Sequence, residues 1–328
     1  MKNVIDVHTH MLSNEWVDLL QAHGGPRYSV MPIKTGQRVV HLHGAPFMTL
    51  TEGMFDYDLR VRSMNQARVD LAVVSLTCPN VFWGGAEIST RAARLMNDDM
   101  AQGQRAHPDR IRWFAALPWQ YPEAAVAELE RAVAAGAVGV MVLGNIAGSE
   151  LTDPLFAPIW REIERRALPV LLHPTAPPGL SEMNMVPYNL VASTGFLFDT
   201  TLAVVRMIFD GFFDRYPDLK LIASHGGGTL PYIIGRLDQC YDNMPACREK
   251  IAQKPSAYLR RIYLDSVVYS QEALELCVTT AGEENLLYGS DYPHNIGDMA
   301  GCLARVDALP AARRDKARGG NAERIFRL

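Results

Sequence analysis

Val4-Ile5-Asp6-Val7-His8-Thr9-His10 reads as a short buried strand that ends in two histidines one residue apart. Alternate side chains of a strand point to the same face, so Asp6, His8 and His10 share one. Two imidazoles on one side of a strand end can chelate a single metal ion. The spacing is not unique, because His41-Leu42-His43 repeats it behind Val39 and Val40. A His-x-His pair therefore marks a metal site only if further ligand types fall at the ends of later strands.

Outward from this stretch, strand and helix patterns alternate. The spacing of apolar residues predicts helices over 15–23, 56–68, 86–106, 123–135, 154–167, 200–213, 230–242 and 271–281. Continuous apolar runs predict strands over 71–76, 112–117, 138–142, 170–173, 219–225, 262–265 and 286–291. Such runs belong to strands covered on both faces, as in parallel sheets. With the opening strand they make about eight β/α units, which fit an α/β fold of the (β/α)8 TIM-barrel type. An open doubly wound sheet is the alternative. Gly24-Gly25-Pro26 breaks the first helix, and 27–51 is irregular, with two Val/His-rich pieces that form a small hairpin in this reading. It reads as part of an insertion at about 13–52 within one domain covering 1–328. A loop rich in Pro and Met spans 174–193, and a helix-rich tail closes the chain.

Composition narrows the partners. The chain has 328 residues, 48% of them hydrophobic, and a net charge of −4. Nothing in that balance calls for nucleic acid or a membrane surface. No run approaches the roughly 18 apolar residues of a membrane span, and no signal-peptide pattern precedes the first strand. Cys78, Cys240, Cys247, Cys277 and Cys302 are odd in number and scattered. They point to free thiols and a cytoplasmic location.

In a TIM barrel the chemistry sits at the C-terminal ends of the strands. Here the first strand ends in His8 and His10, the fifth in His173, the sixth in His225 and the eighth in Asp291. Four histidines and a carboxylate thus meet at one mouth. His41 and His43 fall in the insertion, outside the β/α series.

In chain order, Asp6-Val7-His8-Thr9-His10, Leu172-His173-Pro174, Ser224-His225-Gly226-Gly227-Gly228 and Gly289-Ser290-Asp291-Tyr292-Pro293 resemble the amidohydrolase superfamily. Within it they resemble the branch that contains 2-amino-3-carboxymuconate-6-semialdehyde decarboxylase. The resemblance covers nearly the whole chain, including Leu117-Pro118 and Gly320-Asn321-Ala322. It implies that His8, His10, His173 and Asp291 ligate one divalent metal ion, zinc or, in some relatives, manganese. Three neutral imidazoles and a carboxylate suit zinc. Many binuclear members carry a carbamylated lysine at the end of the fourth strand. Residues 138–145 contain no lysine, which favours a single metal.

The resemblance sets His225 beside the metal's water, where an imidazole can take a proton. A fifth ligand or a loop anchor is the other reading of His225. Gly226-Gly227-Gly228 tolerates unusual dihedrals and lets the loop pass close to a ligand. Arg236 is implied to reach into the neighbouring subunit of a homodimer and hold a carboxylate there. Trp83, Phe82 and Tyr188 are candidate pocket walls, and His294 is a candidate substrate contact.

One departure bears on the substrate. The branch places a second carboxylate-binding arginine shortly before the landmark that Phe55-Asp56 matches, and here Thr51 stands in its place. The insertion offers Arg38, His41 and His43 instead. The expectation is a decarboxylase without an organic cofactor, with His225 and Asp291 catalytic. Its partner would be a small aromatic or ring-cleavage (muconate-type) carboxylic acid. An acid with a phenol or enol oxygen beside its carboxylate could chelate the metal through both groups and depend less on the missing arginine. A metal-dependent hydrolase of a C–C or ester bond, or a hydratase, is the alternative.

Overall fold

Runs of Val, Ile and Leu have no water-facing side, so they pair laterally and are covered by helices. In the computed structural model, which describes residues 3–34 and 36–328, they form eleven strands. These are β1 (Ile5–His10), β2 (Tyr28–Pro32), β3 (Arg38–Leu42), β4 (Ala45–Thr49), β5 (Leu71–Ser75), β6 (Ile111–Ala115), β7 (Gly139–Leu143), β8 (Pro169–His173), β9 (Lys220–Ala223), β10 (Tyr263–Asp265) and β11 (Leu286–Leu287). β1 and β5 to β11 pair in chain order, every pair parallel. All residues of β1, β7 and β8 are buried.

The ring closes between its last and first strands. The Val7 N–H donates to the Tyr288 carbonyl at 3.0 Å and the His10 N–H to the Tyr292 carbonyl at 2.8 Å. A parallel bridge joins Thr9 to Tyr292. The eight strands are therefore a (β/α)8 barrel, and the doubly wound alternative falls.

Local chemistry sets several boundaries. Ser13, Asp56, Ser270 and Asp298 cap helices by accepting the N–H groups of Trp16, Leu59, Ala273 and Gly301. The sixth barrel strand stops at Ala223 rather than at His225, because His225 turns the chain with φ 54°. The eighth strand is only Leu286–Leu287 and hands over to a loop in which Asp291 has φ 58°. The expected hairpin in the insertion is a three-stranded antiparallel sheet, β2-β3-β4. Its third strand is hidden in the sequence because it contains Pro46, which an edge strand tolerates.

The helix expected at 200–213 runs instead over Phe196–Phe209. Among the described residues, Pro187–Phe209 is long and apolar enough to cross a bilayer, contrary to the expectation of no such run. Left-handed Tyr188 (φ 60°) interrupts it, and Asp199, Thr200, Ala203, Val204, Met207 and Ile208 are buried. It packs as a covering helix of the barrel.

Candidate metal centre and substrate cavity

β1 brings His8 and His10 to the barrel mouth on one face, β8 brings His173, and the loop after β11 brings Asp291. Each offers one ligand atom, and the four atoms lie within 4.8 Å of one another. All four residues are buried. The rings are packed edge to face: His8 lies 5.1 Å from both His10 and His173, centroid to centroid, and His10 lies 4.8 Å from His173.

The second nitrogen of each ring is anchored. His8 Nδ1 donates to Asp265 Oδ2 at 2.6 Å. His173 Nδ1 donates to the Pro174 carbonyl at 2.8 Å. His10 Nδ1 lies 3.1 Å from Ser75 Oγ, whose hydroxyl faces the Thr9 carbonyl. Such anchors set the tautomer and turn the Nε2 lone pairs toward a common point. Buried His8 Nε2 and His173 Nε2 have no hydrogen-bond partner among the described residues. His8 Nε2 lies 3.3 Å from Asp291 Oδ1 without hydrogen-bond alignment. Buried nitrogens are rarely left unpaired, and a bound cation would use both. The donor set therefore fits a divalent metal.

The rings differ in their electrostatics. Burial pushes the His10 imidazole down to about 3 and the His173 imidazole well below its ordinary range. Both are neutral donors. Burial would lower His8 too, but the Asp265 carboxylate overrides it and lifts His8 to about 10. Burial acts to raise Asp291, yet the facing His10, His225 and His8 hold its carboxyl well below the usual range.

His225 stands beside the quartet. Its ring is 8% exposed and its Nε2 lies 3.5 Å from Asp291 Oδ2. The backbone N–H groups of His225 and Gly226 donate to the two Asp265 oxygens at 3.1 and 3.0 Å. One carboxylate thus fixes both the His8 ring and the His225 turn. Packing requires glycine after His225: a Cβ on Gly228 (φ 66°), which also lines the cavity, would stand 2.5 Å from the Leu197 carbonyl oxygen.

Two further buried groups hold the mouth together. Asp6 accepts from the Ser290 hydroxyl at 2.5 Å and N–H at 3.1 Å, tying β1 to the loop that carries Asp291. Burial raises its carboxyl to about 7. Fully buried Arg60 donates to Thr9 Oγ1 at 2.6 Å and to the His10 carbonyl, and lies over the Tyr292 ring. Sequence reasoning passed over Asp265, Ser75, Asp6 and Arg60 as supports. Asp265 and Ser75 did carry a signal, since each ends a barrel strand.

A cavity of about 850 Å³ opens above the quartet. Its floor includes His173, His225 and Asp291, and its walls include Phe47 and Met48 of β4, Phe196, and Val267. His294 also lines it, with Nε2 3.0 Å from Thr77 Oγ1 and its ring 5.0 Å from His10. The other candidate contacts lie elsewhere. Trp83 spends its indole N–H on the Asn80 carbonyl and packs on Trp16. Phe82 is buried outside the lining, and Tyr188 is 92% exposed while its neighbour Asn189 lines the cavity. Arg236 is exposed on helix Leu230–Asn243 and does not line the cavity of its own chain. His41 is buried in β3 with Nδ1 near the Val39 carbonyl, and His43 is exposed. Arg38 donates to Asn14.

The amidohydrolase family profile matches residues 5–328. The chain is 31% identical over 325 residues to 2-amino-3-carboxymuconate-6-semialdehyde decarboxylase of Dictyostelium discoideum, covering 97% of this chain and 90% of that protein. Its fold superposes on 5-carboxyvanillate decarboxylase from Sphingomonas paucimobilis with a TM-score of 0.87 at 28% identity, over 100% of both chains. It also superposes on dihydroxybenzoic acid decarboxylase from Polaromonas sp. JS666, solved with manganese and the inhibitor 2-nitroresorcinol. There the TM-score is 0.84 at 26% identity, over 100% of this chain and 98% of that one.

Proposed function

The chain belongs to the amidohydrolase family, and from that premise we propose that it is a metal-dependent decarboxylase of an aromatic carboxylic acid bearing a hydroxyl beside its carboxylate. The observation that carries this is the convergence of three anchored imidazoles and Asp291 under a largely apolar cavity. His8, His10, His173 and Asp291 would hold one divalent ion. The three-nitrogen, one-oxygen donor set suits zinc, while manganese is bound in the Polaromonas enzyme. When bound, the ion supplies a Lewis acid that stabilises negative charge on oxygens of the acid.

The chain's own residues do the rest. His225, beside Asp291, holds the proton that replaces the carboxylate. As the C–C bond breaks, its electron pair stays on the ring carbon, that carbon takes the proton, and the carboxyl leaves as carbon dioxide. His294, on the cavity wall, orients the ring oxygen. Arg236 acts from a second copy in a homodimer. Residues 1–328 work as one barrel domain with the insertion at about 13–52, in the cytoplasm, where five free thiols are at home.

Two measurements test this. Elemental analysis should find one divalent ion per chain. Metal-loaded protein should release carbon dioxide from hydroxybenzoates and leave a product one carboxyl group smaller. Two fragments, with ¹⁸O from labelled water in a new carboxylate, would move the reading to a hydrolase.

A further inference from the structure

We infer that the acid this site takes carries a single carboxylate and an apolar tail, and that the insertion sheet selects it through Phe47 and Met48. The inference rests on the decarboxylase reading for the ring and its reacting carboxylate. What it adds concerns the part of the substrate beyond the ring.

Volume comes first. The cavity of about 850 Å³ lies toward the upper end of the roughly 300–1,000 Å³ that encloses drug-sized ligands. One hydroxybenzoate ring leaves much of it unfilled. Surface chemistry says what fills the rest. An aromatic series runs outward from the metal donors: Phe196 lies 6.3 Å from His173, and Phe47 lies 6.1 Å from Phe196 in edge-to-face contact. Met48, Val267 and Val268 extend the apolar lining, and Ile296, 57% exposed, continues it to solvent. An exposed isoleucine at the end of an apolar channel is a place for a hydrocarbon to lie.

Charge comes second. Among the described residues, no arginine or lysine lines the cavity. Among those residues, the remaining charged wall residue is Asp298, an acid that caps helix Met299–Asp307. Thr51 gives its hydroxyl to the Pro293 carbonyl at 3.0 Å and offers no charge. Two polar groups near the mouth are already used: the Tyr269 hydroxyl donates to the Ile296 carbonyl at 2.7 Å, and the Asn295 amide to Thr49 Oγ1 at 3.2 Å. A second carboxylate on the substrate would lose water here and gain no cation, which is strongly unfavourable. Arg236, acting from a second copy, supplies one guanidinium, and the reacting carboxylate uses it.

The test reads binding, so it does not depend on turnover. Metal-loaded protein is titrated calorimetrically with unreactive 2-nitroresorcinols: the parent, and derivatives with methyl, propyl, pentyl or carboxyl at ring position 4 or 5. At one of the two positions, affinity should rise roughly three- to fivefold per buried methylene, and the carboxyl derivative should bind more weakly than the parent. Phe47→Arg should reverse both trends at unchanged metal content. A flat tail series at both positions, or a carboxyl derivative that binds wild type more tightly than the parent, overturns the inference. Carbon dioxide release from the matching acids is read separately. Tail-dependent binding without carbon dioxide supports this inference and removes the decarboxylase reading. Carbon dioxide release with a flat tail series does the reverse.

Discussion

His225 and Asp291 hold left-handed backbone angles (φ 54° and 58°) that few residues other than glycine adopt. Such positions persist only where surrounding contacts over-determine them, and they cluster at functional sites. For His225 the contacts are the two Asp265 oxygens, which also hold the His8 ring. The two residues therefore separate by experiment. His225→Asn should retain metal and fold while turnover drops by about 10²–10⁴-fold, the usual contribution of a general acid–base group. Metal loss in step with activity would make His225 a ligand instead. Asp265→Asn should weaken metal binding by about 10–100-fold in a chelator competition. It should also depress turnover at saturating metal, because the His225 turn loses its anchor. Unchanged affinity would mean that His8 is held by packing alone.

The elements of the mouth are joined by single side chains, and one of these gives a pH signature. Asp199, on helix Phe196–Phe209, accepts the Asn145 amide at 2.8 Å and the Thr175 N–H at 2.9 Å, linking the loop after β7 to the loop after β8. Burial raises its carboxyl from 3.8 to about 7, against the pull of those donors. A carboxyl with a raised folded value binds its proton more tightly when folded. Its stabilisation is complete below about pH 4 and is lost as pH rises through about 7. Asp199→Asn removes that loss. In urea unfolding of metal-loaded protein, the difference between variant and wild type should swing toward the variant by on the order of 3 kcal/mol between about pH 4.5 and 8. Taking the difference cancels the titration of the metal donors. A constant difference would mean that Asp199 is ionised throughout. The β/α alternation itself was legible, because buried parallel strands are written as unbroken apolar runs such as Val170-Leu171-Leu172. The short ends were not. A strand ending at Ala223, and another only as long as Leu286–Leu287, are set by turns whose angles depend on partners far away in sequence.

Across the whole molecule, the candidate donor set was readable because each member is a ligand-type residue at a strand end or, for Asp291, in the loop just beyond one, and barrel topology brings strand ends together. Which way each ring turns was not readable, since Asp265 and Ser75 act through orientation rather than identity. The cavity walls were hidden too: Phe47 comes from a strand masked by Pro46, and Phe196 from a helix start displaced four residues from its expected place. Arg236 poses a different problem of scale. It is exposed and absent from its own chain's cavity, so a role in the site requires a second copy. Tyr232, 85% exposed on the same helix, offers apolar surface beside it. The expected outcome is functional complementation. Arg236→Ala alone should lose roughly tenfold or more in activity, as befits a hydrogen bond to a charged group, and His225→Asn should be nearly inactive. Unfolded together and refolded as a mixture, about half the dimers pair one variant with the other. In each such dimer one of the two sites has a native His225 in its own chain and a native Arg236 from its partner. Activity should therefore recover to about a quarter of wild type, as two-fold symmetry requires. Activity that stays near the average of the two parents, or full wild-type activity in a monomer, would place Arg236 outside the site.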